Sequence, residues 1–200
     1  MRKNLWLRIL LAVGLALGAL APAGAALARG TREPFSASGP VLTIDQGTVF
    51  PAGYSGRFVV VERTVSGELS GDLNGPFTFV YGSNVPISTQ SGQVHGRLSV
   101  GAYEAAVEGK SSLLLGPGIA IGPDGGPLAV VVILGVSGSL AFTSGAQGQG
   151  DFTATVTAAI DPTTGHILFV VPSGFPILDL DFQPIGLTSS EAVLSGSWSG

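Results

Sequence analysis

The feature of this chain that most constrains its fold is an alternation of apolar and polar residues with a period of two. The alternation is clearest over residues 65–81, where the odd positions are apolar or glycine and the even positions are mostly polar. Residues 136–143, 151–160 and 194–199 show the same pattern. Successive side chains of a β-strand point to opposite faces of the sheet, so the pattern predicts strands with one buried and one wetted face. We therefore predict an all-β, antiparallel fold, since antiparallel sheets commonly leave one face in water.

Residues typical of turns separate these runs. Residues 161–165 read Asp-Pro-Thr-Thr-Gly, in which proline presets φ and glycine takes the left-handed conformation, so they predict a hairpin between strands 151–160 and 166–171. The apolar run Leu128–Val136 is too short to cross a bilayer as a helix and predicts a buried strand. No segment keeps a sustained apolar period of 3.6 residues, and the best candidate for a helix is the short stretch 101–110.

Glycine is the second constraint on the fold. The chain contains 31 glycines in 200 residues, about twice the usual share of roughly 7%. Gly67, Gly71 and Gly75 fall on the predicted apolar face. A glycine on an inner face leaves room for a large neighbouring side chain and lets the strand coil tightly. These glycines favour a closed or strongly curved β-barrel, with a β-sandwich as the alternative.

Residues 1–28 have the three parts of a cleavable export signal, in the expected order. Two basic residues come directly after the first methionine, and residues 9–20 form an uninterrupted apolar run. That run is shorter than the roughly 20 residues that a membrane-spanning helix needs. Residues 26–28 read Ala-Leu-Ala, which is the small-x-small pattern of a cleavage site. We therefore expect cleavage after Ala28 and secretion to the periplasm or the extracellular space.

The chain that remains after cleavage is expected to be acidic. It would consist of a flexible lead-in at residues 29–40 and a single β domain at residues 41–200. Loss of Arg2, Lys3 and Arg8 leaves six basic against thirteen acidic residues, a net charge of −7. That balance argues against nucleic acid and anionic membranes as partners, because both require basic patches, so membrane contact is expected only through the signal peptide. The chain has no cysteine and hence no disulfide and no lipid-modified cysteine.

The sequence contains no strong catalytic or metal-binding motif. A Ser-His-Asp triad has only His95 and His166 to draw on, and no Gly-x-Ser-x-Gly sequence lies between a predicted strand and a helix. Asp179 and Asp181 offer a pair of carboxylates, whereas calcium needs at least about six oxygen ligands. We therefore predict no catalytic residues, no bound metal and no cofactor.

Ligand-binding residues are predicted on the inner face of the strands and on one polar strand face. The candidates are Phe77, Phe79, Tyr81, Trp198, His95 and Arg97. The aromatic side chains would line an apolar cavity. His95 and Arg97 share a strand face, from which they would grip an anion or polarise a carbonyl group.

Two further arginines have an unusual position in the pattern. Arg57 and Arg63 share the parity of the apolar residues Val59 and Val61. If this strand is regular, the arginines point toward the apolar face and would form a polar handle for a ligand near one mouth of a barrel. A β-bulge near Glu62 would instead return them to solvent.

Three functions are compatible with these features. The first is an exported, non-catalytic β-domain protein that binds a small apolar ligand or a glycan, or serves a structural role in the cell envelope. It is favoured because few titratable groups lie in contexts that suit catalysis. The second is a barrel enzyme of the cyclase or isomerase type, which would act mainly by shaping an apolar cavity. The third, a small outer-membrane β-barrel, ranks last because such barrels carry aromatic girdles and aromatic residues are only 8% of this chain.

The predicted signal can be tested at its cleavage site. In the exported wild-type protein, mass spectrometry should find a chain that begins at Arg29. Ala28→Arg should block this cleavage or move it upstream to follow Ala23 or Ala25, because the cleavage site requires small side chains. An intact N-terminus in the exported wild-type protein would contradict the prediction.

Overall fold

The computed structural model describes residues 32–52, 58–86 and 88–199, and the predicted signal peptide with its cleavage site lies outside them. The described residues form strands and turns, and they include no helix long and apolar enough to cross a membrane. The strands, in chain order, are β1 (Glu33–Ile44), β2 (Thr48–Ala52), β3 (Phe58–Gly71), β4 (Gly75–Pro86), β5 (Ser91–Val100), β6 (Tyr103–Ile121), β7 (Pro127–Ser144), β8 (Gly148–Ile160), β9 (Ile167–Val170), β10 (Pro176–Leu178), β11 (Pro184–Leu187) and β12 (Glu191–Trp198).

A hydrogen-bonded ring of eight strands is the centre of the fold. Its order is β1, β3, β4, β5, β6, β7, β8, β12 and back to β1, and every neighbouring pair is antiparallel. The ring closes because the long strand β6 pairs with β5 along one edge and with β7 along the other. The predicted all-β, antiparallel, closed or strongly curved fold is confirmed, and both a barrel-like and a sandwich-like description fit this ring.

Apolar side chains fill most of the ring, because every second residue of a ring strand points to its interior. Large side chains that are fully buried there include Phe77, Phe79, Phe152, Leu69, Leu98, Leu140 and Leu194. The ring centroids of Phe79 and Phe152 lie 4.8 Å apart. Burial of each such side chain contributes about 1.5–3 kcal/mol, so this core is the main source of stability.

Cross-strand pairs of a glycine and an aromatic residue recur in the interior. Three such pairs are Gly67–Phe77, Gly96–Tyr81 and Gly196–Phe35. A Cβ atom placed on Gly96 would lie 2.7 Å from the ring of Phe79 and 2.8 Å from the Cβ of Tyr81. The aromatic side chains therefore occupy the space that a side chain at these glycines would need, as the sequence pattern predicted for Gly67.

Two of the three glycines assigned to the inner face have another role. Gly71 ends β3 and Gly75 begins β4, with positive φ angles of 131° and 116°. Between them the chain turns, and the buried side chain of Leu73 takes the inner position. The prediction is therefore wrong for Gly71 and Gly75, because the alternation over residues 65–81 continues across a turn that the pattern alone does not reveal.

The flexible lead-in predicted at residues 29–40 is wrong from Glu33 onward. These residues belong to β1, which pairs with β12 from Glu33 to Pro40. Phe35 and Ala37 are buried in the core. The segment is short of large apolar residues, so its strand character depends on pairing with the far end of the chain, which local sequence does not reveal.

The helix candidate at residues 101–110 is also wrong. It consists of a turn followed by the first residues of β6. Ala105 and Val107 alternate into the core with a period of two. Alanine has a high helix propensity, but packing against the ring overrides it here.

The hairpin predicted at residues 161–165 is present. Strands β8 and β9 pair in antiparallel fashion across it, and Gly165 has a φ of 72°. The Asp161 carboxylate accepts hydrogen bonds from the backbone N–H groups of Thr163 and Thr164, at 2.7 and 3.3 Å. These hydrogen bonds, that from Thr163 above all, hold the pKa of Asp161 below its usual value.

The apolar run Leu128–Val136 lies in β7 and packs on both of its faces. Val132 and Leu134 pack against the ring core. Val131 belongs to a second apolar cluster that also includes Ala159 and Ile177. A strand covered on both faces has a continuous apolar run instead of an alternation, which explains why this stretch departs from the period of two.

The packing of glycine against aromatic rings can be tested with matched alanine substitutions. Gly96→Ala should lower the free energy of unfolding by about 1–3 kcal/mol, because the new methyl group overpacks the core beside Phe79. Gly82→Ala on the neighbouring strand is the control, since a Cβ atom there meets nothing within 4 Å. Urea titrations of both variants measure the difference. Equal midpoints for the two variants would contradict the proposed packing.

Candidate ligand-binding site

The ring is filled along most of its length but holds a cavity at one end, which we name the mouth cavity. Its volume is about 310 Å³, at the lower end of the range for small-molecule sites. Its apolar lining residues are Val59, Val61, Val85, Leu113 and Leu134. Its polar lining residues are Arg63, Tyr81, Ser83, Gln90, Ser111 and Ser112. Apolar walls with a few convergent polar groups are typical of ligand pockets.

The lining residues of β3 and β4 are ordered by depth. From the mouth toward the core, the inward residues of β3 are Val59, Val61, Arg63 and Val65. Their partners on β4 are Val85, Ser83, Tyr81 and Phe79. Arg63 and Tyr81 therefore face each other across neighbouring strands at the floor of the cavity, and the closed core begins one position below them.

Arg63 points inward because its strand is regular. The pairing of β3 with β4 shows no register shift, and the pairing of β3 with β2 is regular as well. The β-bulge near Glu62 that would have turned Arg63 to solvent is absent. Of the two alternatives given by the sequence, the inward orientation is the one observed for Arg63, while Arg57 lies outside the described residues.

The guanidinium group of Arg63 has no side-chain carboxylate as a partner. All thirteen aspartate and glutamate residues lie in the described part of the chain, where the one ion pair joins the exposed side chains of His95 and Glu108. The Nε atom of Arg63 is buried and makes no hydrogen bond to any described residue. Arg63 as a whole is half-buried, so the cavity floor carries a cation whose Nε–H donor is buried and unused.

Tyr81 provides a second donor at the floor. Its side chain is only 5% exposed, and this burial raises the pKa of the phenol above its usual value. The positive charge of Arg63 and its hydrogen bond to the phenol offset part of this rise, while the negative charge of Asp45 adds to it. The Tyr81 phenol is therefore a neutral O–H group at physiological pH.

Hydroxyl groups and a strained turn lie nearer the mouth. The Oγ atoms of Ser83 and Ser111 are 2.6 Å apart and share a hydrogen bond. Gln90, between β4 and β5, has a positive φ of 51°, which is rare for a residue other than glycine. Its N–H donates to the carbonyl oxygen of Pro86 at 3.0 Å, and its own carbonyl oxygen accepts from the N–H of Leu113 at 3.1 Å. These bonds hold the turn against β6 at the edge of the cavity.

Among the six residues predicted to contact a ligand, Tyr81 alone lines the mouth cavity. Phe77 and Phe79 are fully buried in the core. Trp198 is half-buried at the opposite end of the ring, where its ring centroid lies 4.5 Å from that of Phe35 and 4.7 Å from that of Phe142. These aromatic residues close the ring below the cavity and at its far end.

His95 and Arg97 lie on the outer face of β5, which separates them from Tyr81 by the thickness of the sheet. The Nδ1 atom of His95 is 4.0 Å from a carboxylate oxygen of Glu108, and both side chains are exposed. His95 also borders an outer groove of about 790 Å³, together with Gln93 and Lys110. Contact of His95 or Arg97 with a ligand stays a prediction, and it concerns a surface other than the mouth cavity.

Sequence reasoning did not find the contributions of Ser83, Gln90, Ser111 and Leu134 to the cavity. Ser83 had a signal, because it continues the inward parity of Phe79 and Tyr81 along β4. Ser111 and Leu134 had a similar signal, because Ser111 has the parity of the buried Ala105 and Val107 on β6, and Leu134 has that of the buried Val136 and Leu140 on β7. For Ser111 the prediction of a helix over residues 101–110 concealed it.

The remaining polar residues of interest do not form a second centre. Asp179 and Asp181 lie in a turn, where Oδ1 of Asp179 accepts hydrogen bonds from the N–H groups of Asp181 and Gln183 at 2.9 and 2.8 Å. Among the described residues, no three His, Asp or Glu side chains form a group that could hold a metal ion. Comparison of the chain with protein-family models, curated proteins and solved structures finds no match.

The burial of Tyr81 has a measurable consequence for titration. A free tyrosine ionises near pH 10. Because burial raises the folded pKa of Tyr81, this residue should ionise at a higher pH than that in an absorbance titration at 295 nm. The raised pKa contributes stability that is present below the unfolded pKa and is lost as the pH rises through the folded value. Tyr81→Phe should remove the high-pH step, while Tyr103→Phe at the far end of the ring should leave it. Its persistence in Tyr81→Phe would contradict the assignment.

Proposed function

We propose that this protein is an exported, non-catalytic binding protein that holds a small, predominantly apolar molecule in its mouth cavity. The observation that carries this proposal is a cavity of about 310 Å³ with walls of Val and Leu side chains at one end of an otherwise filled ring. A cavity that closes on a dense core gives a ligand one entrance and one floor. Its strands form a rigid scaffold, which favours binding because little order has to be gained when the ligand enters.

Export of the protein is part of the same proposal. The segment at residues 1–28 supports it, as does the absence of cysteine, which leaves the fold independent of the redox state outside the cell. A carrier or scavenger in the periplasm or the medium would need a stable container and no turnover. A glycan ligand is less well supported, because the cavity walls are mainly apolar.

A second candidate is an enzyme of the cyclase or isomerase type. It is favoured by Arg63 and Tyr81, since two donors aimed at one point can polarise a carbonyl oxygen as well as bind it. Binding is preferred because no described Asp, Glu or His lines the cavity as a general base. Incubation of the purified protein with the molecule that co-purifies from its host, followed by NMR spectra of that molecule, separates the two, because a binding protein returns the molecule unchanged and an enzyme converts it to an isomer of equal mass.

Binding in the mouth cavity can be tested with 1-octanol as a neutral apolar probe. In two-dimensional NMR spectra of the chain that begins at Arg29, 1-octanol should cause saturable shifts around Ser83 and Leu134. Val61→Trp should abolish them, because the indole fills the cavity from its wall. Val80→Trp is the matched control, since Val80 is on the outer face of β4 and 52% exposed. Saturable binding that survives in Val61→Trp, or no binding to the wild-type protein, would overturn the proposal.

A further inference from the structure

We propose that the ligand of the mouth cavity is an apolar molecule with a carboxylate at one end, and that this carboxylate binds Arg63 and Tyr81 at the cavity floor. The inference rests on the proposed function and deepens it by naming the chemical class of the ligand. It also fixes the orientation of the ligand, with its charged end inward and its apolar end toward solvent.

The charge of Arg63 is the first argument. A guanidinium group stays protonated in proteins, and no side-chain carboxylate of this chain lies within 4.0 Å of the Arg63 nitrogens. Asp45, whose charge reaches Tyr81, is exposed, and its carboxylate accepts a hydrogen bond from the backbone N–H of Thr64 at 2.9 Å. An anion brought in by the ligand would compensate the charge of Arg63, and a planar carboxylate matches the fork of guanidinium N–H donors.

The direction of the available hydrogen bonds is the second argument. Arg63 offers donors only, and the neutral phenol of Tyr81, its direct cross-strand partner, offers one more. Two donors side by side suit an acceptor with two oxygens. A ligand ending in an ammonium group would meet a like charge at this point, which disfavours amines as ligands.

The order of residues along the cavity is the third argument. Arg63 and Tyr81 lie at the floor, and the wall above them includes Val61, Val59 and Val85. A molecule with its anionic end at the floor would bury its apolar part against these side chains. The reverse orientation would place the anion near the mouth, where uncharged serine hydroxyls and valines line the wall, and would leave Arg63 without an anionic partner. The cavity therefore favours one orientation.

The volume of the cavity limits the size of the ligand. Water occupies about 30 Å³ per molecule, so a cavity of about 310 Å³ accommodates a ligand with about ten non-hydrogen atoms. Octanoate has this size and the required carboxylate. The alcohol 1-octanol has the same chain without the charge, which makes the two a matched pair of probes.

The test compares the dissociation constants of octanoate and 1-octanol by NMR titration at neutral pH. The wild-type protein should bind octanoate about 10- to 100-fold more tightly than 1-octanol, the size expected for hydrogen bonds to a charged group. Arg63→Gln should bring this ratio close to one while 1-octanol binding stays nearly unchanged. Tyr81→Phe should reduce the ratio by a few fold. Arg32→Gln, at an exposed arginine that precedes β1 and does not line the cavity, should leave both affinities unchanged.

Each negative result of this test excludes a different part of the proposal. If 1-octanol binds in the cavity as tightly as octanoate, the carboxylate class is overturned and the proposed function stands. If neither probe binds to the wild-type protein, the proposed function fails and this inference fails with it. If octanoate keeps its advantage in Arg63→Gln, the assignment of Arg63 is overturned.

The stability of Arg63→Gln gives an independent readout. Arg63 is half-buried, has no carboxylate partner and leaves its Nε–H unused, so replacing it should leave the free energy of unfolding unchanged or raise it. A large loss of stability would show that Arg63 holds the fold together, which contradicts a role in ligand binding alone. If Arg63→Gln does not fold, Arg63→Lys serves in its place, because it keeps the charge, loses the planar fork and should lower the ratio only partly.

Discussion

The interior of the ring depends on one kind of contact, in which an aromatic side chain on one strand lies over a glycine on the next. Phe77 over Gly67 and Tyr81 beside Gly96 are neighbouring examples. A ring of eight strands has a narrow interior, and large residues on all strands at the same level would collide. A glycine has no side chain, so the aromatic side chain of its cross-strand partner occupies that space and the two strands approach closely. The position of these glycine–aromatic pairs along the ring also determines where the packed core ends.

The cavity begins at the level where this pairing ends. Above Tyr81 the inward residues of β4 are Ser83 and Val85, which are smaller than the aromatic residues below them. On the other side of the cavity, β6 pairs with β5 only as far as Ser112, and its second half pairs with β10. The cavity therefore lies above Arg63 and Tyr81, at the level where β6 is no longer paired with β5. The close-packed core below it keeps this space from collapsing.

The floor of this space departs from the rest of the molecule in its chemistry. The interior is apolar almost throughout, yet Arg63 places a cation there, where a hydrophobic residue would have packed at lower cost. Polar groups that break the pattern of a core concentrate at functional sites. The neutral phenol of Tyr81 accepts a hydrogen bond from Arg63 and keeps its own O–H as a donor, so both groups can donate to a ligand. The chemistry of the site therefore follows from its depth in the ring as much as from the identity of its residues.

The sequence by itself determined the fold class, because a period of two and turn residues such as those at 161–165 are local properties of the chain. It also indicated Arg63, whose parity matched Val59 and Val61. Tertiary structure alone decided that β3 has no bulge at Glu62, that β1 begins at Glu33 and that the turn residue Gln90 lines the cavity, since each depends on contacts between segments that are distant in the sequence. The sequence pattern placed Tyr81 on the same face as Phe77 and Phe79. The structure shows that Tyr81 lies closer to the mouth, so it lines the cavity while the two phenylalanines are buried in the core. Alternation specifies which face a residue occupies, but only the closed register specifies its depth, and depth distinguishes a core residue from a ligand-binding one.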